Sequence, residues 1–227
     1  LMTDNYNHSK CLMPEPTLRR LPWYLSCVSL LKDAGVEHVS TTQLAKEVDV
    51  DAAQIAKDLS FLSVRGKTRI GYDTVQLERE LTEFLGFKKE HSAVIIGVGS
   101  LGESLLRDSG LLQYGLHILA GFDVNPSIVG KEIADVKVHS IDNLSQVQST
   151  LQAHIAIIAT PVAAAQQVAQ LAVNAGFKAI WNFTPIRLRL PDNIVLHDTS
   201  IYAHLALIYN RLQHLQQAPV NQENEQK

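Results

Sequence analysis

Residues 93–102 read A-V-I-I-G-V-G-S-L-G, an apolar stretch that runs straight into Gly97-x-Gly99-x-x-Gly102, and an acidic residue, Asp123, closes the next apolar run. A strand, a glycine turn and a helix start in this order bring backbone N–H groups and the positive end of a helix up to a pyrophosphate. Gly97 makes the turn, Gly99 permits close approach and Gly102 lets helix pack on strand. Asp123 follows the last glycine by about 20 residues, where a carboxylate can accept from both ribose hydroxyls and repels a 2′-phosphate. The pattern predicts a dinucleotide site that favours NAD(H) over NADP(H).

Downstream, apolar runs at 93–96, 117–122, 155–159 and 179–181 alternate with helical patterns, the clearest over 162–175. Alternation of this kind predicts an α/β fold with a parallel, doubly wound sheet. At roughly 130 residues the region is too short to add a separate catalytic domain, so an enzyme is not expected. The chain of 227 residues, 46% hydrophobic and 19% charged, suits two domains. With no apolar run near 18 residues and no signal-peptide pattern, the expectation is a soluble, cytoplasmic protein with no membrane partner. Cys11 and Cys27 have no metal-ligand or redox spacing, and nine scattered histidines form no i, i+4 pair, so no metal is expected. A net charge of −3 leaves any argument for nucleic acid to local charge.

Such a local argument exists upstream. Residues 1–16 are polar, carry Pro14 and Pro16, and read as a disordered arm, as does the tail from 218. Between them, Leu21, Tyr24, Leu25, Val28 and Leu31 recur at helical spacing, from after Thr17 to near Gly35. Ser40-x-x-Gln43 and Asp51-x-x-Gln54 are capping patterns for two further short helices, separated by the tight turn of a helix-turn-helix. Residues 63–72 follow, with Gly66 and Gly71 bracketing a basic, β-capable stretch and Arg65, Lys67 and Arg69 placing three cations in five residues with no acid, and they read as a β-hairpin wing. In that arrangement Gln54 and Lys57 on the third helix face a major groove, where Gln can pair with adenine and Lys can reach guanine or phosphate, while the wing cations meet the backbone. The alternative is a three-helix dimerisation or lid domain whose polar face is solvated. An amphipathic segment through Val75, Leu77, Leu81, Phe84 and Leu85 joins the two regions. The last helix, 200–216, carries Ile201, Leu205, Ile208, Leu212 and Leu215 at alternating four and three spacing. It packs on its own sheet or, the favoured reading, pairs two copies.

Eight segments in order, R-L-P (20–22), V-S-T-T-Q-L-A (39–45), Q-I-A-K-D-L-S-F (54–61), R-G-K-T-R-I-G-Y-D (65–73), G-V-G-S-L-G (97–102), G-F-D-V-N-P (121–126), T-P-V-A-A-A-Q (160–166) and N-F-T-P-I-R-L (182–188), resemble the bacterial Rex redox-sensing transcriptional repressors across residues 17–216. The resemblance implies a homodimer that binds double-stranded promoter DNA while NAD+ dominates and releases it when NADH binds. It implies a disordered arm (1–16), a winged helix-turn-helix domain (17–86), a Rossmann-like NAD(H)-binding domain (87–198), a C-terminal domain-swapped dimerisation helix (199–217) and a disordered tail (218–227). The cofactor set it implies is Gly97, Val98, Gly99, Ser100, Leu101 and Gly102 at the pyrophosphate, Asp123 and Val124 at the adenosine, and Thr160, Pro161, Asn182 and Phe183 at the nicotinamide. The DNA set is Ser40, Thr41, Gln54, Lys57, Ser60, Arg65, Lys67, Arg69 and Tyr72. The dimer seam is Ile201, Leu205, Ile208 and Leu212.

The chain departs from the family pattern at several positions. Ala56 stands where the recognition helix usually carries Arg, removing one base or phosphate contact, and the usual glycine and aromatic residues ahead of Arg65 are absent. Ser26, Asp108 and Ser200 occupy the positions of an Arg, Tyr and Asp that form a state-dependent polar network in several members. That latch does not carry over to this chain. Two rival readings stay open from the residues alone. One is an NAD-dependent dehydrogenase with a helical leader, and the other is a module for NAD(H) or another adenine nucleotide, such as coenzyme A, whose helical domain binds no DNA.

Overall fold

Pro14 and Pro16 start a helix rather than end a disordered arm. Pro14 is the N-cap and Pro16 lies in the first turn of α1 (Glu15–Asp33), where a missing N–H has no helical acceptor to lose. Met13, just before the cap, is 2% exposed, so residues 13–16 belong to the folded unit, and the rest of the expected arm lies outside the described residues. The computed structural model describes residues 13–217, and the expected tail lies outside them. The chain divides between Lys89 and Glu90 into two compact units.

In the first unit α1 buries Leu21, Tyr24, Leu25 and Val28 along one face. α2 (Thr41–Val48) is capped by Ser40 and ends on Asp49 in the left-handed region, φ 52°. That turn leads to Asp51, whose side chain accepts from the N–H groups of Ala53 and Gln54 and opens α3 (Ala52–Leu59). α4 (Thr74–Phe84) contributes Leu77 and Leu81 to the same core. The expected hairpin over 63–72 is smaller than its sequence suggests. β1 (His38–Val39) pairs antiparallel with β2 (Tyr72–Asp73), and residues 64–71 form a loop closed by one bridge, Lys67 to Gly71. Arg69 (φ 66°) and Gly71 (φ 99°) turn the chain too sharply for a ladder to extend. A Cβ on Gly71 would also lie 2.4 Å from the Val39 carbonyl oxygen.

The second unit holds β3 (His91–Ile96), β4 (Leu116–Asp123), β5 (Glu132–Ile133), β6 (Val136–Ser140), β7 (Ile155–Ile158), β8 (Ala179–Asn182) and β9 (Val195–Asp198), in the spatial order β5-β6-β4-β3-β7-β8-β9. All neighbours run parallel except the short β5 against β6. Without β5 this is the doubly wound dinucleotide order, which reverses direction on either side of β3 and leaves a crevice at its carboxyl end. Val94 and Ile96 enter one core with Ala165, Ala169 and Ala172 of α8 (Val162–Asn174), whereas Ala93 and Ile95 enter the opposite one with Leu106 of α5 (Ser100–Leu106). Burying both faces explains the unbroken apolar run of β3. α6 (Ser109–Gln113), α7 (Leu144–Leu151) and α9 (Ile201–Gln217) complete the unit.

Candidate functional site

The glycine turn sits at the carboxyl end of β3. Gly97 has φ 96°, and a Cβ there would lie 2.7 Å from the Ala159 carbonyl group, so both conformation and space demand glycine. Gly102 is tighter still, because a Cβ would lie 2.0 Å from the Gly97 oxygen. Gly99 is different, being exposed with nothing within 4 Å of the Cβ position. Two of the glycines close the turn, and the third leaves open backbone beside the start of α5.

Asp123, at the end of β4, accepts the Val98 N–H through Oδ2 at 2.7 Å and the Asn125 N–H through Oδ1 at 2.8 Å. Each oxygen retains a lone pair, so the carboxylate braces the turn and can still accept two hydroxyls. A cavity of about 160 Å³ opens beside it, bounded by Ile96, Gly97, Phe122, Val124, Ile141, Thr160, Pro161, Ala164 and Val168. Its walls are apolar, with Asp123 at the rim, which suits a flat heteroaromatic ring joined to a sugar. A second cavity of about 370 Å³ is lined by Leu101, Thr160, Pro161, Phe183, Thr184, Pro185, Ile201, Tyr202 and Leu205. Thr160 and Pro161, after β7, border both cavities, and the Thr160 hydroxyl is buried without a hydrogen-bond partner. An unsatisfied buried hydroxyl at the switch point fits a ligand that supplies its partner.

The structure brings together Gly97, Leu101, Asp123, Val124, Thr160, Pro161 and Phe183, with Gly99, Ser100 and Gly102 in the turn and helix start between them. Val98 contributes its N–H to Asp123 while its side chain is buried. Asn182 stands apart. It is fully buried, donates to the Ile186 carbonyl and to Asp198, and accepts from the N–H and hydroxyl of Thr184. Its amide shapes the 182–186 turn that carries Phe183, which packs on Trp181 with ring centroids 4.8 Å apart. Sequence reasoning missed Ile141, Ala164 and Val168 on one side, and Thr184, Pro185 and Tyr202 on the other. Ala164 and Val168 share a helix face at i, i+4, a signal present in the sequence.

In the first unit, Ser40 caps α2, Ser60 donates to the Lys57 carbonyl, and Tyr72 lies against Gly66. Thr41 is half-buried in the first turn of α2. Arg65 donates to the carbonyls of Ser60 and Leu62, holding the loop that precedes the turn. Lys57, Lys67 and Arg69 are exposed and join no ion pair among the described residues. These three cations remain free to meet phosphate.

Beneath that face lies Asp58, fully buried on α3. Its Oδ1 accepts from Thr17 (3.0 Å), Arg20 Nη2 (2.8 Å) and Gln54 Nε2 (2.8 Å), and its Oδ2 accepts from Arg20 Nε (2.7 Å) and Tyr24 (2.8 Å). Burial opposes ionisation of Asp58, but the bonds from Arg20, Tyr24, Gln54 and Thr17 outweigh it and hold its pKa below the usual carboxylate value. Burial, and then the bond to Asp58, push the Tyr24 hydroxyl up to about 12.

Ser26, Asp108 and Ser200 are engaged locally. Ser26 donates to the Pro22 carbonyl, Asp108 accepts the Gly110 N–H, and Ser200 accepts the Ala203 N–H. On α9 the seam residues Ile201, Leu205, Ile208 and Leu212 are 55%, 38%, 53% and 49% exposed.

Residues 13–60 match the family described as "Putative DNA-binding protein N-terminus", and residues 88–186 match "CoA binding domain". The chain is 50% identical over 200 residues to the redox-sensing transcriptional repressor Rex of Bacteroides fragilis, covering 88% of this chain and 91% of that one. It is 49% identical over 203 residues to the repressor of the same name from Porphyromonas gingivalis, covering 89% and 93%. Among solved structures, RSP in complex with β-NAD+ and operator DNA superposes with a TM-score of 0.86 at 31% identity, over 91% of this chain and 95% of that one. RSP in complex with β-NADH gives 0.82 over 91% and 97%.

Proposed function

This chain belongs to the Rex family of redox-sensing transcriptional repressors, and from that premise we propose that it binds promoter DNA as a dimer and releases it when the NADH/NAD+ ratio rises. The observation that carries the reading is the pairing, in one chain, of a helix-turn-helix unit that keeps Lys57, Lys67 and Arg69 unpaired with a switch-point crevice that keeps the Thr160 hydroxyl unsatisfied. One unit presents cations to a polyanion, and the other presents a glycine turn and two cavities to a dinucleotide. The protein acts as a regulator rather than as an enzyme, and it works in the cytoplasm, where bacterial promoters are.

NAD(H) fits the second unit. Asp123 and the apolar cavity beside it hold adenosine, the open backbone at Gly99 and the N–H groups at the start of α5 hold the pyrophosphate, and Pro161, Phe183 and Thr184 surround the nicotinamide. Asp123 also keeps out a 2′-phosphate. Bound here, the dinucleotide reports its oxidation state through the charge of one ring. Phe183 and Pro161 offer that ring no anion, so they favour neutral NADH over the NAD+ cation. Reversing a two-state preference from 1:99 to 99:1 needs about 10⁴-fold differential affinity, which two NADH per dimer supply at about 100-fold each. The exposed seam of α9 is the surface a second copy covers, and a dimer matches two half-sites about 34 Å apart. The expected dimerisation helix over 199–217 is in this way the most exposed apolar segment of its unit.

The test is retention of fragmented genomic DNA from the protein's source, in NAD+ alone and then with NADH added. Selective retention of a few fragments that is lost with NADH supports the reading, and no selective retention in either state overturns it.

A further inference from the structure

We infer that Asp58 is a positioning residue for base reading: through α3 it holds the Gln54 amide in the one orientation that pairs with adenine. The inference rests on the proposed DNA-binding role and deepens it. Gln54 is the third residue of α3, in the first turn of the helix that enters the major groove, where side chains meet base edges. Its Nε2 donates to Asp58 Oδ1 at 2.8 Å, and the side chain is half-buried.

An ionised carboxylate only accepts, so the partner atom on Gln54 must be the amide nitrogen, and the usual ambiguity between oxygen and nitrogen disappears. A primary amide has two hydrogens. With one committed to Asp58, the other hydrogen and the carbonyl oxygen are left, and neither takes a partner among the described residues. That remaining donor and acceptor form the pair that adenine N7 and N6 require. An unrestrained exposed glutamine must lose rotamer freedom and select one amide orientation on binding, whereas this one has both set in advance.

The anchor is itself immobile. Asp58 has its carboxylate bound by Thr17, Arg20 and Tyr24 of α1, so the reading amide is referenced to the core of the unit. The arrangement carries extra weight in a chain with Ala56 in the next exposed position of α3, where a second long side chain could otherwise share the reading.

The test selects duplexes from a randomised pool with the full-length protein in NAD+, comparing wild type, Gln54→Met and Asp58→Asn, with the salt dependence of binding to the wild-type consensus measured for each. The expected result is a symmetry-related pair of positions at which wild type prefers adenine by about tenfold or more. Both variants lose that preference there, retain the preferences elsewhere and keep the salt slope. Asp58→Asn has no further effect on base preference in a Gln54→Met background. A wild type that selects a motif, with both variants selecting the same motif, overturns the inference and leaves the repressor reading intact. A wild type that selects no motif overturns the repressor reading itself. Should Asp58→Asn not fold, the side-chain amide resonance of Gln54 in the DNA-free wild type decides. One amide proton strongly protected from exchange is expected, and two protons exchanging like those of an exposed glutamine contradict the assignment.

Discussion

The Asp58 carboxylate in one unit and the Thr160 hydroxyl in the other are buried polar groups with opposite fates. In the DNA-facing unit the Asp58 carboxylate receives bonds from Thr17, Arg20, Tyr24 and Gln54, and its lone pairs are saturated. In the cofactor unit the Thr160 hydroxyl is buried with no partner, and Gly99 leaves open backbone at the start of α5. The difference follows from what each binds. In the proposed reading DNA is met on an outer surface by the exposed Lys57, Lys67 and Arg69, which need a rigid support but no cavity. A dinucleotide enters a crevice, so the groups that hold it must stay unsatisfied until it arrives.

The sharpest way to break this contrast is to remove one polar group from each unit. Asp58→Ala leaves Arg20 and Tyr24 without their acceptor and is expected to destabilise the first unit by about 3–5 kcal/mol. Thr160→Val removes an atom with nothing to lose, so the second unit keeps its stability while NADH affinity falls several-fold. With one tryptophan in each unit, Trp23 and Trp181, single-tryptophan variants report the two melting curves separately. Equal destabilisation by the two changes would erase the distinction.

Next in size is a contrast within the glycine turn. Gly102→Ala is expected to disrupt the turn and abolish cofactor binding together, since its Cβ would overlap the Gly97 oxygen. Gly99→Ala folds with an unchanged melting temperature and loses tenfold or more in NADH affinity, measured by calorimetry, because its methyl group occupies only the space that a pyrophosphate needs.

Acid separates the units more gently. The Asp58 and Glu78 carboxyls of the first unit lie below their ordinary pKa values: burial opposes this, and bonds from Arg20 and Lys32 respectively lead the groups that outweigh it. Their contribution is complete above about pH 4, the unfolded value, and is lost as pH falls through the depressed folded values. In the second unit burial and then Lys137 lower the His139 pKa from 6.5, so stability is complete above that pH and declines as pH falls toward the folded value. Near pH 5 the Trp181 signal is therefore expected to melt earlier than at pH 7.5 while the Trp23 signal does not, and His139→Gln removes the shift. The smallest effects belong to the wing. Lys67→Gln and Arg69→Gln each reduce the slope of log affinity against log salt by about one, whereas Arg65→Gln acts through the loop its carbonyl contacts hold.

Local patterns were the legible ones. Gly97, Gly99 and Gly102 announce their turn within six residues, and Asp123 lies at the spacing that the motif demands. Long-range pairings were not. Asp58 reads as a charge within an apolar stripe until its partner Arg20, 38 positions earlier, is placed beside it by the packing of α1 on α3. β1 finds β2 across the intervening helices, so the sheet of the wing could not be inferred from residues 63–72 alone. Asn182 carries a polar group in a recognised motif, and only its four hydrogen bonds reveal that it supports Phe183 from behind.

The most direct measurement is the anisotropy of a fluorescent duplex, selected by the protein in NAD+, as NADH is added to wild type and to Gly99→Ala. The account predicts that wild type releases the duplex while Gly99→Ala still holds it at NADH concentrations that have emptied wild type. Retention by wild type at saturating NADH, or release from both proteins at the same concentration, would contradict it.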